Sequence, residues 1–216
     1  MWQNQARSNT SPLVEQRLGT LISNLAEVQA EMARIQNRLM PFDRTFFAPQ
    51  NLDAFVQSYW CHWYPHCPIV DPLAFDVNSI PLPLLLGIFL TGAVFSPCPH
   101  TTSTARDHFD LAEEFIFRNP DFTTVIDGAS IGSPAGQYSP VGFHALQAAF
   151  SIAVLQTFEG SSSARRRIRT YRYTDIITVT RTLSLPSKHN DASYTQCSLS
   201  ATSDYALARQ GEYQVR

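Results

Sequence analysis

An unbroken apolar heptad near the start of the chain most constrains how it can fold. Eight apolar residues recur at alternating spacings of four and three: Val14, Leu18, Leu21, Leu25, Val28, Met32, Ile35 and Leu39. A period of 3.5 residues places these side chains along one seam of a helix, as in a coiled coil. Ser11 and Pro12 suit the start of that helix, and Pro41 would stop it. We therefore expect a coiled-coil-like helix over residues 11–40 that forms a parallel homodimer. The alternative is an amphipathic helix packed on its own domain.

Helical signals also fill the middle of the chain. Apolar periods, caps and prolines predict helices over about residues 51–63, 80–95, 102–118, 139–158 and 164–183. Residues 120–138 are rich in Gly, Pro, Ser and Thr, which predicts a loop with at most one helical turn. The expected fold class is all-α: a coiled-coil-like helix followed by a helical bundle. The expected boundaries are disorder over 1–10, a linker over 41–50, a helical regulatory domain over 51–185 and a mostly disordered tail over 186–216.

Composition excludes several classes of protein. Apolar residues make up 44% of the 216, which argues against wholesale disorder, and a net charge of −2 excludes general attraction to polyanions. The longest apolar run, over residues 84–95, is shorter than the roughly 20 residues of a membrane span, so we expect no membrane partner. The beginning of the sequence lacks the apolar stretch of a secretory signal. None of the four cysteines lies in a C-x-x-C pair, so we expect a reducing, intracellular location.

The sharpest candidate metal site is a short cluster of zinc-type ligands. Four such residues fall within seven positions: Cys61, His62, His66 and Cys67. Structural zinc sites use two ligand pairs on separate turns, and adjacent Cys and His side chains diverge. We therefore interpret the cluster as an aromatic-rich helix end and expect no metal ligand and no cofactor in this chain.

One string matches the pattern of a nucleophilic elbow. Residues 128–132 read G-x-S-x-G around Ser130, and Asp127 and His144 could complete a triad. That elbow needs a strand before it and a helix after it, and no strand pattern surrounds this string. We expect no catalytic residue and no enzyme activity.

A basic run offers a candidate phosphate-contacting patch. It comprises Arg165, Arg166, Arg167, Arg169 and Arg172, with Tyr171 among them. On a regular helix Arg165, Arg169 and Arg172 share one side, while Ile168, Tyr171, Ile176 and Val179 supply the buried side. Phosphate or nucleic-acid contact is the functional interpretation, and a solvated helix face is the alternative that the spacing favours.

Three blocks of the sequence, in order, resemble one known family. The stretch LDAFVQSYWCHWYPHCPIVDPLAF has an aromatic-rich helix end followed by Pro68-Ile69-Val70 and Phe75. The block LPLLLGIFLTGAVFS has a Leu-rich start and a Gly92-Ala93 step, and LQAAFSIAVLQTFEGSSSARRRIRTYRYTDIITVTRTLSL ends in an Arg-x-Leu-x-Leu sequence. Together they resemble the fungal-specific transcription factor domain, or middle homology region, over roughly residues 51–185.

The resemblance implies a nuclear regulator of transcription that holds an activator in an assembled or inhibited state. It implies DNA and zinc binding through a separate module, and this chain has neither a six-cysteine zinc cluster nor a finger of two Cys and two His. We therefore expect other transcription proteins as partners, and DNA contact only through a module absent here. A polar tail stands where the family continues with further helices, as expected for a fragment, a truncated gene product or a divergent regulator. The alternative is a helical interaction or scaffold protein with no transcriptional role.

Overall fold

A computed structural model describes residues 11–36, 42–131 and 140–183, which belong to one compact unit. Every regular element in these ranges is helical, so the all-α prediction is confirmed. The α-helices are α1 (Pro12–Gln36), α2 (Pro49–Ser58), α3 (Leu82–Val94), α4 (Pro99–Asp107), α5 (Phe109–Phe117), α6 (Pro120–Ile131), α7 (Pro140–Phe158), α8 (Ser162–Arg167) and α9 (Tyr173–Thr182). A 3-10 turn spans Arg44–Phe47, and π-helical turns follow α2 (Tyr59–Trp63) and α8 (Ile168–Arg172). The predicted disorder over 1–10 and 186–216 falls outside the described residues.

Helix α3 forms the centre of the bundle and packs against α2 and α7. Its residues from Pro83 to Ala93 are all buried, which explains why the run is apolar on every side rather than on one face. At Gly92 an added Cβ would lie 1.8 Å from the carbonyl oxygen of Phe55. The missing side chain therefore allows α2 and α3 to approach backbone to backbone.

Helix α7 is the second long apolar helix. By length and composition alone Pro140–Phe158 could cross a membrane, and 61% of its apolar window is buried inside the bundle. It packs against α3 and α5. Helices in the core of a helical bundle are often as long and as apolar as this, and α7 lies in the core of the bundle.

The seam of α1 faces its own domain, which corrects the coiled-coil interpretation. Leu18, Leu21, Leu25 and Met32 are each at most 3% exposed in the single chain, and α1 packs against α5. Val14 and Val28 are half-buried, Ile35 is 67% exposed, and Leu39 lies outside the described residues. A helix that lies against a domain also needs an apolar stripe, so a regular heptad does not by itself require a second chain. The homodimer stays a prediction, and it would need another face of α1 or the release of α1 from the bundle.

Two loop predictions are also wrong. The expected linker over 41–50 contains Phe46 and Phe47 at 6% and 1% exposure, so this segment belongs to the core. Three aromatic residues near prolines predicted a linker between helices. Burial of Phe46 and Phe47 instead fixes the segment against the rest of the domain. The expected loop over 120–138 is wrong over Pro120–Ile131, which form helix α6, where Phe122 packs on Phe117 with ring centroids 5.0 Å apart. Its residues 132–138 lie outside the described residues. Tertiary burial of Phe122 again overrides the weak helix propensity of its Gly and Thr neighbours.

His108 separates α4 from α5, where one continuous helix was predicted. Its ring is 2% exposed and stacks on Phe46 with centroids 5.1 Å apart. The Nδ1–H donates to the carbonyl oxygen of Thr104 at 2.7 Å, and Nε2 accepts from the backbone N–H of Asp43 at 3.2 Å. Both ring nitrogens are therefore used by a neutral imidazole, which ties the segment before α2 to the α4–α5 junction.

We expect acidification to loosen this junction. Burial lowers the pKa of His108 below 6.5, although the nearby carboxylates of Asp107 and Asp43 act in the opposite direction. The unfolded chain then binds more protons than the folded chain below about pH 6.5, so stability from His108 is present above that pH and is lost as pH falls. Urea denaturation of the wild-type chain between pH 7.5 and 5.5 measures this loss. In His108→Gln the slope with pH should flatten, whereas the exposed-residue control His66→Gln should retain it; equal slopes in both variants would contradict the assignment.

Candidate functional site

The structure divides the basic run into an inner and an outer set. Arg167 and Arg172 turn into the bundle toward α5, whereas Arg165, Arg166 and Arg169 are exposed. The predicted grouping of Arg165, Arg169 and Arg172 on one side is therefore wrong. The five arginines do not form one patch available to phosphate.

The two inner arginines converge on Glu113 of α5, whose side chain is 0% exposed. Arg167 is bidentate: its Nε donates to Glu113 Oε1 at 2.8 Å and its Nη2 donates to Oε2 at 2.7 Å. The Nε of Arg172 donates to the same Oε1 at 2.9 Å. Bidentate, charge-assisted bonds of this kind are among the strongest that side chains make. We call Glu113, Arg167 and Arg172 the charge clamp.

Further polar groups complete the charge clamp. Arg167 also donates to Asp110 at 2.6 Å, and the amide of Gln156 on α7 donates to Asp110 at 2.8 Å and to Glu113 at 3.2 Å. Arg172 donates to Glu114 at 2.7 Å. Buried charges are tolerated when they are paired and hydrogen-bonded, and each carboxylate here has a partner. Together with Gln156, the clamp thus joins α5, α7 and α8 through side chains.

The network reaches α1 through one more arginine. Arg118 donates to Glu114 at 2.8 Å and lies 3.1 Å from Glu31 of α1. These two pairs are more exposed than the charge clamp, so each contributes at most about 1 kcal/mol. Charged groups therefore connect the first helix of the chain with the arginine run near its end.

The π turn explains how two arginines five residues apart can face one carboxylate. On an α-helix Arg167 and Arg172 would point about 140° apart, because each residue turns about 100°. A π turn bonds each N–H to the carbonyl five residues back, so residues five apart come to nearly the same side. The same widening moves Tyr171 out of the predicted buried face to 65% exposure, while Ile168, Ile176 and Val179 are buried as expected.

The electrostatics of the clamp favour the charged form of Arg167. Hydrogen bonds and the charge of Glu113 raise the pKa of the Arg167 guanidinium above its usual value, against the opposing effect of burial. The guanidinium carbon of Arg172 also lies 4.5 Å from the centroid of the Phe117 ring, in cation–π geometry. Every charged group is thus held by another side chain. This arrangement can fix helices in place.

Sequence reasoning missed Glu113, although a signal was present. Phe109, Glu113 and Ile116 follow the i, i+4, i+7 spacing of one helical face, so the glutamate occupies a position on the apolar side of α5. A carboxylate at such a position needs a buried cation. The arginine run, more than fifty residues later along the chain, supplies it.

The candidate zinc ligands do not converge. Cys61 is exposed, and His62 stacks on Phe95 with ring centroids 6.2 Å apart. Among the described residues no group of three or more His, Cys, Asp or Glu side chains could hold a metal ion. The aromatic-rich helix end has a buried anchor instead, since Tyr59 is 0% exposed.

We therefore expect no tight zinc binding at Cys61–Cys67. Burial raises the pKa of the Cys67 thiol, which disfavours the thiolate that zinc requires. The measurement is zinc content by atomic emission after the reduced chain is loaded with equimolar zinc and desalted. Wild-type chain and the Cys61→Ser, Cys67→Ser variant should retain the same, substoichiometric amount. One zinc ion per wild-type chain, lost in the variant, would overturn the expectation.

The candidate triad also lacks its structural setting. Asp127 and Ser130 lie within α6, so the G-x-S-x-G string begins on a helix rather than at the end of a strand. The side chain of Ser130, and Gly132, lie outside what the structure describes. His144 lies on α7, across the undescribed segment 132–139.

The fold and the charge clamp define an all-helical domain whose best-organised polar site holds helices together. The family model of the fungal specific transcription factor domain matches residues 56–191, well over half of the chain. Transcription factor verF from Penicillium polonicum is 31% identical over 140 residues, which are 65% of this chain and 19% of that protein. The chain belongs to the fungal specific transcription factor domain family, as the three sequence blocks predicted. It spans about a fifth of the length of this relative, and no solved structure matches it significantly.

Proposed function

We propose that this chain is the regulatory and assembly region of a nuclear transcription factor, and that it acts without catalysis. Its family is one of transcription factors, and its match begins in α2 and includes every helix from α3 to α9. The observation that carries the proposal is this coincidence between the matched residues and a helical bundle fixed by the charge clamp. A bundle of this kind presents surfaces in a defined arrangement, as an assembly domain requires.

A reporter assay tests this role. The full chain is placed between a heterologous DNA-binding module and a strong activating segment, and reporter output is compared with that of the same fusion carrying a flexible spacer of equal length. We expect the chain to change output, and we expect Glu113→Gln, which removes the central carboxylate of the charge clamp, to abolish that change at matched protein levels. Equal output from chain and spacer would contradict a regulatory role and would favour a helical interaction protein without one.

We also expect that this chain alone does not distinguish DNA sequences. Base readout needs an element that enters a groove with side chains aimed at base edges. Two of the five arginines are committed to Glu113, and phosphate contacts by the remaining three would carry no sequence information. Selection of the chain against a random duplex pool at physiological salt should enrich no motif. Recovery of a single motif would show that the chain contains a DNA reader.

A further inference from the structure

The three exposed arginines of the run are flanked along the chain by exposed aromatic side chains. Phe158 is 73% exposed at the end of α7, and Tyr171 and Tyr173 are 65% and 38% exposed. The residues concerned are Phe158, Arg165, Arg166, Arg169, Tyr171 and Tyr173, which we call the arginine–aromatic surface. Exposed aromatic groups beside unpaired charges are typical of binding surfaces rather than of solvated helix faces.

Contacts across the α7–α8 turn place Arg165, Arg169 and Tyr173 of this surface near the end of α7. The Nε of Arg165 donates to the carbonyl oxygen of Gly160 at 3.1 Å, which places this arginine beside the turn that follows Phe158. The Nε of Arg169 lies 3.3 Å from the carbonyl oxygen of Arg165. On the other side the hydroxyl of Tyr173 lies 3.3 Å from that of Thr157, the neighbour of Phe158.

The positive charge of this surface is not neutralised within the described part of the chain. None of the ion pairs there includes Arg165, Arg166 or Arg169. Glu159, the carboxylate that precedes the run in sequence, is bound by Arg106, with Oε2 2.5 Å from the guanidinium. By contrast, three carboxylates surround the two inner arginines. The inner two arginines are thus paired within the chain, whereas the outer three lie in no ion pair of the described residues.

We propose that the arginine–aromatic surface docks an acidic peptide segment that carries apolar side chains. Carboxylates of such a segment would bind the guanidinium groups, and its apolar side chains would cover Phe158 and the tyrosines. Arginine and aromatic residues together are the groups that dominate binding energy at protein interfaces. Three arginines provide few contacts for a nucleic-acid backbone. An acidic peptide with apolar side chains fits the surface better, because those side chains can also cover Phe158. The inference rests on the proposed function and names the chemistry of its partner.

Fluorescence anisotropy with the full chain tests the proposal. The probe is a labelled synthetic peptide that alternates pairs of Glu with Phe or Leu. Matched probes replace every Glu with Gln, or every Phe and Leu with Ser, and a labelled single strand of oligothymidine represents nucleic acid. We expect the acidic apolar probe to bind at least about tenfold more tightly than each of the others, and to weaken as salt is raised.

Two charge-matched variants localise the binding. The pair Arg165→Glu and Arg169→Glu should weaken binding of the acidic probe by about tenfold or more, because it places like charges opposite the carboxylates. The pair Arg34→Glu and Arg44→Glu makes the same change in net charge at exposed positions elsewhere and should have little effect. Phe158→Ser should also weaken binding while it leaves the net charge unchanged. Circular dichroism of each variant tests whether it is folded.

Three results would overturn the proposal: equal binding of the acidic probe and its Gln version, equal effects of the two variant pairs, or tighter binding of oligothymidine. The same variants in the reporter fusion separate this inference from the proposed function. If the chain alters reporter output while the acidic probe fails to bind, the docking surface is wrong and the regulatory role stands. If the chain alters no output, the role itself fails.

Discussion

Replacing Glu113 with glutamine is expected to lower the free energy of unfolding by about 3–5 kcal/mol. The change removes the one negative charge that both Arg167 and Arg172 contact, in a side chain that is 0% exposed. Two guanidinium groups would then lie side by side with only Asp110 and Glu114 at their edges. Replacing a whole buried ion network by apolar side chains often changes stability little. Removing only one of its charges is strongly destabilising, because the remaining charges stay buried without a partner.

The matched control for Glu113 is Glu159→Gln. Glu159 pairs with Arg106 at the surface, where the side chains are 32% and 46% exposed, so its loss should cost less than about 1 kcal/mol. Urea denaturation followed by far-UV circular dichroism measures both. If the two glutamine variants unfold at the same urea concentration, the charge clamp is not a principal determinant of stability.

The second large effect is expected at Gly92. Gly92→Ala places a Cβ 1.8 Å from the Phe55 carbonyl oxygen, so α2 and α3 must separate, at a cost of about 3 kcal/mol or more. Backbone atoms cannot rotate away as a side chain can. Gly19→Ala on α1 is the matched control, since nothing lies within 4 Å of its added Cβ. It should instead stabilise the chain by about 0.5–1 kcal/mol through helix propensity. Thermal melts should show a lower melting temperature for Gly92→Ala and a higher one for Gly19→Ala. A lower melting temperature for both variants would contradict a specific steric clash at Gly92.

Periodic apolar patterns predicted most of the helices, but they did not predict which surface packs against the apolar face of each helix. The heptad of α1 and the uniform run of α3 both predict helix, and both are helical. Periodicity cannot tell whether a stripe faces another chain or the same one, because the two surfaces are chemically alike. The burial of Leu21 and Leu25 beneath α5 depends on residues nearly a hundred positions away.

Local composition misled where long-range contacts decide the structure. The segment that contains Phe46 and Phe47 has the prolines of a linker, yet His108, Phe55 and Phe89 enclose these rings. The charge and spacing of the basic run can be read from the sequence, but the π turn within it could not be predicted. That turn changes which arginines share a side, and it brings Arg167 and Arg172 to one buried carboxylate.

The most direct measurement for the divided arginine run is a stability scan in which each of its five arginines is replaced singly by glutamine and unfolded in urea. Arg167→Gln and Arg172→Gln should each lower the free energy of unfolding by about 2 kcal/mol or more, because each leaves Glu113 with an incomplete set of partners. Arg165→Gln, Arg166→Gln and Arg169→Gln should lie within about 0.5 kcal/mol of the wild-type chain, since these side chains are exposed. Equal losses at all five positions, or larger losses at the outer three, would contradict the division of the run into an internal clamp and an external surface.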